Sequence, residues 1–164
     1  MKKIITFGFV ALFTSITISS FSQSACVEYH IAKCQSPDSK GYSVAEASRS
    51  ALLLKGQTSE FRFTIYQGKD YRITICGDDA LGPYLQYQIV DWETNEVLYD
   101  NKDYNYTREF EFTVLMSKTV RIIVSIPTEA EDPASKSISL RPKSTSMGCV
   151  GVLIEEMITP KKGF

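Results

Sequence analysis

Apolar and polar residues alternate in two neighbouring stretches of the chain, 61–65 and 71–75. Such alternation is typical of a β-strand with one buried face. A break at 67–70 that contains glycine separates the stretches, as in a β-hairpin. The sequence therefore predicts two paired strands. Their inward side chains are Phe61, Phe63, Ile65, Tyr71, Ile73 and Ile75.

Similar patterns continue towards the C-terminus. The further predicted strands are 84–91, 96–99, 107–115, 120–126 and 147–158, with turns at 92–95 and 117–118. Seven to eight short strands with regular turn signals predict an all-β fold, an antiparallel β-sandwich or jelly roll. We expect this domain to span 51–164, with an exposed excursion at 127–146 that is rich in proline and serine.

Residues 1–22 are typical of a secretory signal peptide. Lys2 and Lys3 form a basic head, an apolar run covers 4–18, and small residues precede a cleavage site after Ser22. A retained membrane anchor fits less well because hydroxyl residues interrupt the apolar run. We expect an exported chain that lies in the periplasm, outside the cell or at its surface.

A lipoprotein anchored through Cys26 is an alternative. Gln23 stands where a lipidation signal carries an apolar residue, and lipidation would leave three cysteines, an odd number for an oxidising compartment. We therefore expect an unlipidated mature chain of 23–164.

The segment 23–50 is predicted to be mostly loop. Residues 43–46 match a capping box, which predicts a short helix over 44–50. The apolar run 51–54, followed by Lys55 and Gly56, instead predicts a strand that enters a tight turn. We expect loop or a helical turn up to residue 50 and a strand over 51–55.

The charge of the mature chain excludes some partners. Removing 22 of the 164 residues leaves 142, with 16 basic and 19 acidic side chains and a net charge of −3. A net charge of this sign and size does not indicate binding to nucleic acid or anionic lipid. No second apolar stretch approaches the length that spans a membrane.

The four cysteines predict two disulfides in an exported chain. Cys76 and Cys149 both fall on the outward phase of their strands, so we expect the pairs Cys76–Cys149 and Cys26–Cys34. A zinc site from Cys26, His30 and Cys34 is less favoured, because a fourth ligand is lacking.

Two further sets of residues could hold a ligand. Asp78, Asp79, Asp100 and Asp103 lie in predicted loops and could ligate Ca²⁺ if the loops meet, although acidic turn residues are also ordinary. No other cofactor is expected. An aromatic platform for sugar rings could be formed by Tyr84, Trp92, Tyr99, Tyr104 and Tyr106, although such residues also fill sheet faces. Tyr87 is predicted to lie in the core.

Residues 51–126 contain, in this order, Gly-Gln-Thr, a Phe-x-Phe strand, Gly-Lys-Asp-Tyr-Arg-Ile, Tyr-Leu-x-Tyr-x-Ile-x-Asp and Val-Leu-Tyr-Asp. In these features they resemble the bacterial pre-peptidase C-terminal domain. Two departures from the family are that we expect no peptidase ahead of these residues and that Val120-Arg121-Ile122 lacks the usual tyrosine. The resemblance implies a small β-sandwich with an accessory or binding role. The ending Gly-Cys-Val-Gly-Val-Leu-Ile-Glu-Glu-Met also resembles uncharacterised exported proteins of Bacteroidota.

The sequence thus predicts an exported, non-catalytic β-sandwich that binds a protein or carbohydrate ligand. The alternative is a secreted hydrolase that uses loop carboxylates. A cavity that joins buried acidic side chains would favour the enzyme, and an exposed aromatic or charged surface would favour the binding module.

Overall fold

The structure, a computed structural model, describes residues 26–35, 40–128 and 146–160. These ranges contain one α-helix, nine β-strands and two 3₁₀ helices, at Asp79–Leu81 and Asn101–Tyr104. The helix and strands are α1 (Tyr29–Cys34), β1 (Ser43–Val44), β2 (Arg49–Leu54), β3 (Thr58–Ile65), β4 (Lys69–Gly77), β5 (Gln86–Asp91), β6 (Val97–Asp100), β7 (Glu109–Thr113), β8 (Lys118–Ser125) and β9 (Met147–Ile158). No helix in the described ranges is long and apolar enough to cross a membrane.

The strands form two antiparallel sheets. In sheet A, β9 lies beside β4 and β4 beside β7, while β1 and β2 pair with successive parts of the other side of β9. Sheet B has the order β3-β8-β5-β6. The prediction of an all-β sandwich is confirmed.

The core lies between the two sheets. Alternate residues of β4 and β8 are fully buried there, among them Tyr71, Ile73, Val120 and Ile122. Each such side chain stabilises the fold by roughly 1.5–3 kcal/mol through the area it removes from water. Tyr87 is fully buried as predicted, whereas the two phenylalanines of β3 are half-buried at the margin of the core.

The predicted hairpin between β3 and β4 is wrong. β3 pairs with β8 in sheet B, and β4 pairs with β7 and β9 in sheet A. The turn at Gly68, whose φ is 79°, carries the chain from one sheet to the other. Alternation identifies which face of a strand is buried but not its neighbour, and a connection between sheets buries the same faces as a hairpin. The turn at 117–118 likewise joins β7 of sheet A to β8 of sheet B.

One predicted hairpin is present. β5 and β6 pair in sheet B with Ile89 opposite Tyr99. The turn at 92–95 joins them, and Asn95 adopts a φ of 58°, a conformation that asparagine tolerates better than most residues. The predicted final strand is also present as β9.

The N-terminal segment differs from the prediction. Ser43 does not cap a helix over 44–50, since its hydroxyl donates to the Glu156 carbonyl oxygen from β1. β2 begins at Arg49, two residues before the predicted strand. The one α-helix of the described residues is instead α1, which packs against β9, β4 and β2.

Both predicted disulfide pairs are wrong. The bridges are Cys26–Cys149 and Cys34–Cys76, with Cα–Cα distances of 5.4 and 5.3 Å. Cys76 and Cys149 do lie on the outer face of sheet A, away from the main core, as their phase predicts. Each is bonded to one end of the segment that carries α1, so the helix is fastened across β4 and β9. The cysteines of the alternative zinc site are therefore used in bridges to the sheet.

The predicted signal peptide and the excursion at 127–146 fall largely outside the described residues. Only 127, 128 and 146 of the excursion are described. The bridge to Cys149 occupies the Cys26 thiol that a lipid anchor would need.

Candidate functional site

An apolar groove opens at one side of the sandwich, between the edge strands β6 and β7. Its volume is about 410 Å³. Leu98 and Tyr99 of β6 line one wall, and the end of β7 with the connection to β8 lines the other. The lining residues are Ile65, Ile89, Leu98, Tyr99, Phe110, Phe112, Thr113, Val114, Leu115, Met116 and Lys118.

Large apolar side chains stand exposed at the mouth of this groove. Leu115 is 82% exposed and Met116 68% exposed, and Leu98 faces them from β6 with 42% exposed. Single exposed apolar residues are ordinary, but a contiguous apolar patch marks a binding surface. These three residues provide the exposed rim of a surface suited to an apolar ligand.

The floor of the groove is an aromatic stack. Tyr99 lies 3.8 Å from Phe110 between ring centroids, and Phe110 lies 5.4 Å from Phe112. Tyr104 covers the outer side of Tyr99 at 5.2 Å. Rings packed in this way hold their positions, so the floor is formed before any ligand arrives. Tyr99 itself is only 6% exposed.

One edge of the groove carries main-chain groups without a neighbouring strand. In β7, the residues that bond to β4 alternate with those that do not. Because Ile75 N–H donates to the Arg108 carbonyl oxygen (2.8 Å), the alternate residues Glu109, Glu111 and Thr113 direct their main-chain groups to the open side. No described strand pairs with that side. β7 can therefore accept another strand.

The outer face of sheet A is acidic beside this edge. Arg72 lies on β4 between two neighbouring strands, with its Nε 2.5 Å from Glu111 and its Nη1 3.6 Å from Glu155. Glu109 is 3.9 Å from the same guanidinium. Three carboxylates around one cation leave a formal charge of −2. Glu109 and Glu111 are exposed, so part of this charge faces solvent next to the free edge.

The cation at the groove mouth is already paired. Lys118 Nζ lies 2.9 Å from Asp91 Oδ2. Asp91 Oδ1 accepts hydrogen bonds from the N–H groups of Glu93 and Thr94. The bond from Lys118, followed by these two, lowers the pKa of Asp91 from 3.8 to about 2. The groove therefore offers apolar surface rather than a free charge.

The aromatic residues predicted as one platform lie in three places. Tyr99 forms part of the floor of the apolar groove, and Tyr104 stacks on Tyr99 without lining the groove itself. Tyr84 and Tyr106 pack together at a different, polar groove, with ring centroids 5.3 Å apart. Trp92 is 40% exposed on the outer face of sheet B, beneath an arginine side chain.

The predicted calcium ligands are distributed between different loops. Asp78 Oδ2 accepts the Cys149 N–H at 2.7 Å. Asp100 accepts from Gln86 and Gln88 and caps the 3₁₀ helix Asn101–Tyr104. Among the described residues, no group of three or more His, Cys, Asp or Glu side chains is placed to hold a metal ion. Calcium binding stays a prediction that this arrangement does not support.

The loop carboxylates are also the candidate pair of the hydrolase alternative. Neither the apolar nor the polar groove has a carboxylate among its lining residues. Asp78 instead interacts with Tyr29, whose pKa is raised to about 12 by burial and then by its hydrogen bond to Asp78. These contacts give Asp78 a structural role beside α1.

Sequence reasoning missed Leu98, Leu115 and Met116. Leu115 ends the predicted strand 107–115, and Met116 follows it directly before the turn at 117–118, where apolar residues are unusual. Two adjacent apolar residues entering a turn were the available signal. The contribution of Leu98 could not be found in this way, because it depends on the approach of β6 to β7.

Comparisons with known proteins leave the family open. No protein-family model and no curated protein matches the chain. Among solved structures, the chain is similar to Aeromonas hydrophila PliG, a periplasmic lysozyme inhibitor of g-type lysozyme. The TM-score is 0.44 at 13% sequence identity, and the match covers 70% of this chain and 89% of that one. A likeness this low does not carry the activity of that protein over to this chain.

Proposed function

We propose that this chain is an exported, non-catalytic binding module that recognises an extended segment of a partner protein at the apolar groove. The carrying observation is that an exposed apolar groove of about 410 Å³ lies beside the unpaired edge of β7. A module with a binding role is also what the resemblance to the pre-peptidase C-terminal domain implies.

Export is supported by the two disulfides, because such bridges persist mainly in oxidising compartments. The predicted signal peptide points the same way. A binding rather than catalytic role is supported by the described lining of the two grooves, which consists of apolar and neutral polar residues with one lysine each and contains no carboxylate. No observation on the described residues favours the hydrolase alternative.

The geometry indicates what kind of segment fits. A strand added to β7 gains main-chain hydrogen bonds and places alternate side chains on opposite faces. One set then enters the groove between Leu98 and Met116, and the other set lies beside Glu109 and Glu111. The partner segment is therefore extended, with apolar residues alternating with basic ones.

A peptide library displayed on phage and selected against the mature chain, 23–164, tests this proposal. We expect enrichment of peptides in which large apolar residues alternate with lysine or arginine. The affinity of an enriched peptide should fall about tenfold or more in Leu98→Asp and Leu115→Asp. Both side chains are exposed, so these substitutions leave the core intact.

Val97→Asp is the matched control. Val97 is 51% exposed on the same strand as Leu98 but does not line the groove, so its substitution should leave peptide affinity within about twofold. Equal losses in Val97→Asp and Leu98→Asp would contradict the proposal. So would a mature chain that forms a dimer which Leu115→Asp dissociates, because the groove would then serve self-association.

A further inference from the structure

A second groove lies on the outer face of sheet B and has a polar lining. Its volume is about 440 Å³. The floor is a row of polar residues from three adjacent strands, since Thr58 and Gln86 are the direct partners of Ser125 on its two sides. Tyr84, Tyr106 and Lys102 stand around this row. Lys102 is the one charged residue among the described residues that line the groove.

The backbone at Tyr106 is held in a strained conformation. Asn105 and Tyr106 have φ angles of 55° and 56°, in the left-handed region. Asparagine visits this region with little strain, but a bulky aromatic residue does so rarely. The Tyr106 N–H donates to the Asn101 carbonyl oxygen at 2.9 Å, which helps to hold the turn. Strain of this kind concentrates at ligand sites, where it positions a side chain.

The strained turn places the Tyr106 ring against Tyr84. The two rings meet edge to face at an angle of 70°, with centroids 5.3 Å apart. Both side chains remain half-exposed at the groove. A pair of tyrosines provides a flat apolar surface together with hydroxyl groups. This combination matches a sugar ring, which has apolar C–H groups on its faces and hydroxyls on its rim.

The floor has polar groups free to bind those hydroxyls. Gln86 donates through Nε2 to Asp100 at 3.0 Å, which orients the amide and leaves its carbonyl oxygen open to a ligand. Thr58 Oγ1 and Ser125 Oγ share one hydrogen bond at 3.1 Å, so the pair still has capacity to donate and accept. The Lys102 ammonium has no ion-pair partner among the described residues.

We infer that this groove binds a carbohydrate that carries a carboxylate, such as a uronic or sialic acid unit. The sugar ring packs against Tyr84 and Tyr106, its hydroxyls bond to Gln86 and the hydroxyl pair, and its carboxylate faces Lys102. An uncharged sugar leaves Lys102 unpaired and binds more weakly. The site uses none of the residues that line the apolar groove. The inference can therefore be tested independently of the proposed protein-binding function.

Calorimetric titration of the mature chain with tetragalacturonate, sialyllactose and uncharged cellotetraose tests the inference. We expect at least one acidic sugar to bind with a dissociation constant below about 1 mM and about tenfold more tightly than cellotetraose. Lys102→Ala should remove that preference. Tyr106→Gly should weaken binding of the acidic sugar about tenfold.

The glycine variant also separates a ligand role from a structural one. Glycine adopts the Tyr106 conformation without strain, so Tyr106→Gly should keep the thermal midpoint of unfolding while it loses binding. Asn105→Gly changes the neighbouring residue of the same conformation and should leave binding within about twofold. Absence of acidic-sugar binding up to about 10 mM, equal binding of cellotetraose, or equal losses in the two glycine variants would overturn the inference.

Discussion

Gly151 lies directly opposite Cys76 in the β4–β9 ladder, and its missing side chain leaves the space that the Cys34 sulfur occupies. A Cβ atom built at Gly151 would stand 2.7 Å from Cys34 Sγ and 2.8 Å from the His30 Cα. The helix α1 therefore lies against the sheet at a point where only glycine fits. The same register explains why Cys76 does not bond to Cys149, which is its diagonal neighbour. Diagonal pairs are about 7–8 Å apart, which exceeds the reach of a disulfide.

Gly151→Ala should destabilise the fold by about 1–3 kcal/mol, because the added methyl group forces the helix backbone or the Cys34–Cys76 bridge to move. Urea unfolding at fixed pH measures the loss. Thr113→Ala, at an exposed position of β7 in the same sheet, should change the free energy of unfolding by no more than about 0.5 kcal/mol. A Gly151→Ala loss as small as that of Thr113→Ala would show that α1 packs differently.

The disulfide pairs predict the linked peptides of the unreduced protein. Tryptic cleavage after Lys33 separates Cys26 from Cys34, so each bridge yields its own linked peptide. We expect Cys26 with Cys149 and Cys34 with Cys76. A peptide that joins Cys76 to Cys149 would contradict the register of the sheet. A diacylglyceryl mass on Cys26 would contradict the first bridge and show a lipid anchor.

Removal of the shorter bridge should be strongly destabilising. The Cys34–Cys76 bond has a sequence separation of 42, and closing a loop of that size corresponds to about 4 kcal/mol in the chain-entropy account. The double variant Cys34→Ser/Cys76→Ser should lose up to this amount in urea unfolding. Loss of the far longer Cys26–Cys149 bridge should cost at least as much. A loss below about 1 kcal/mol for either would show that the unfolded chain is compact without it.

Stability should fall as the pH drops through 6.5 because of His30. Burial lowers the pKa of His30 below its ordinary value of 6.5, and Glu28 offsets this only in part. The unfolded chain therefore binds the proton at a higher pH than the folded chain does, so acidification favours unfolding. His30 is the one histidine of the sequence, so His30→Asn should flatten the pH dependence that begins as the pH falls through 6.5. If the free energy of unfolding of His30→Asn depended on pH as steeply as that of the parent chain, the pH dependence would come from other groups.

Asp91 should contribute stability that disappears in acid. Its pKa is lowered to about 2 by Lys118 and two main-chain N–H groups, so the contribution is present above the unfolded value of 3.8 and is lost as the pH falls through about 2. Asp91→Asn should therefore be less stable at pH 7 than the parent chain. The difference should shrink between pH 4 and 2, as followed by thermal unfolding at each pH. A difference independent of pH would mean that the charge of Asp91 is not what matters.

The buried face of each strand could be predicted from the sequence more reliably than the strands that pair with it. Alternation placed Tyr71, Ile73 and Ile75 on the buried face of β4, which is where they lie. It could not say that β3 belongs to the other sheet, because a connection between sheets and a hairpin bury the same side chains. Alternation also predicts the correct face for Cys76. The disulfide partner predicted for it, Cys149, is wrong, because the register of β4 against β9 places Gly151 opposite Cys76.

The remaining differences come from contacts that no local pattern encodes. The six residues of α1 are too few to show a helical period, and the helix is held by two bridges and by the contact with Gly151. The apolar groove depends on the approach of two edge strands that are distant in sequence. The polar groove was detectable only as two separate tyrosines, because the strained turn that brings Tyr106 to Tyr84 leaves no mark in the sequence.

The attachment of α1 at both ends has a consequence for how the chain matures. A polypeptide made from its N-terminus presents Cys26, Cys34 and Cys76 to an oxidant long before Cys149 emerges. Cys34 can meet its correct partner early, but the partner of Cys26 is the last cysteine to arrive. Until then the nearest thiol to Cys26 along the chain is Cys34, and a bond between those two blocks both native bridges. If that bond forms, both native bridges can form only after it is reopened, for example by a disulfide isomerase.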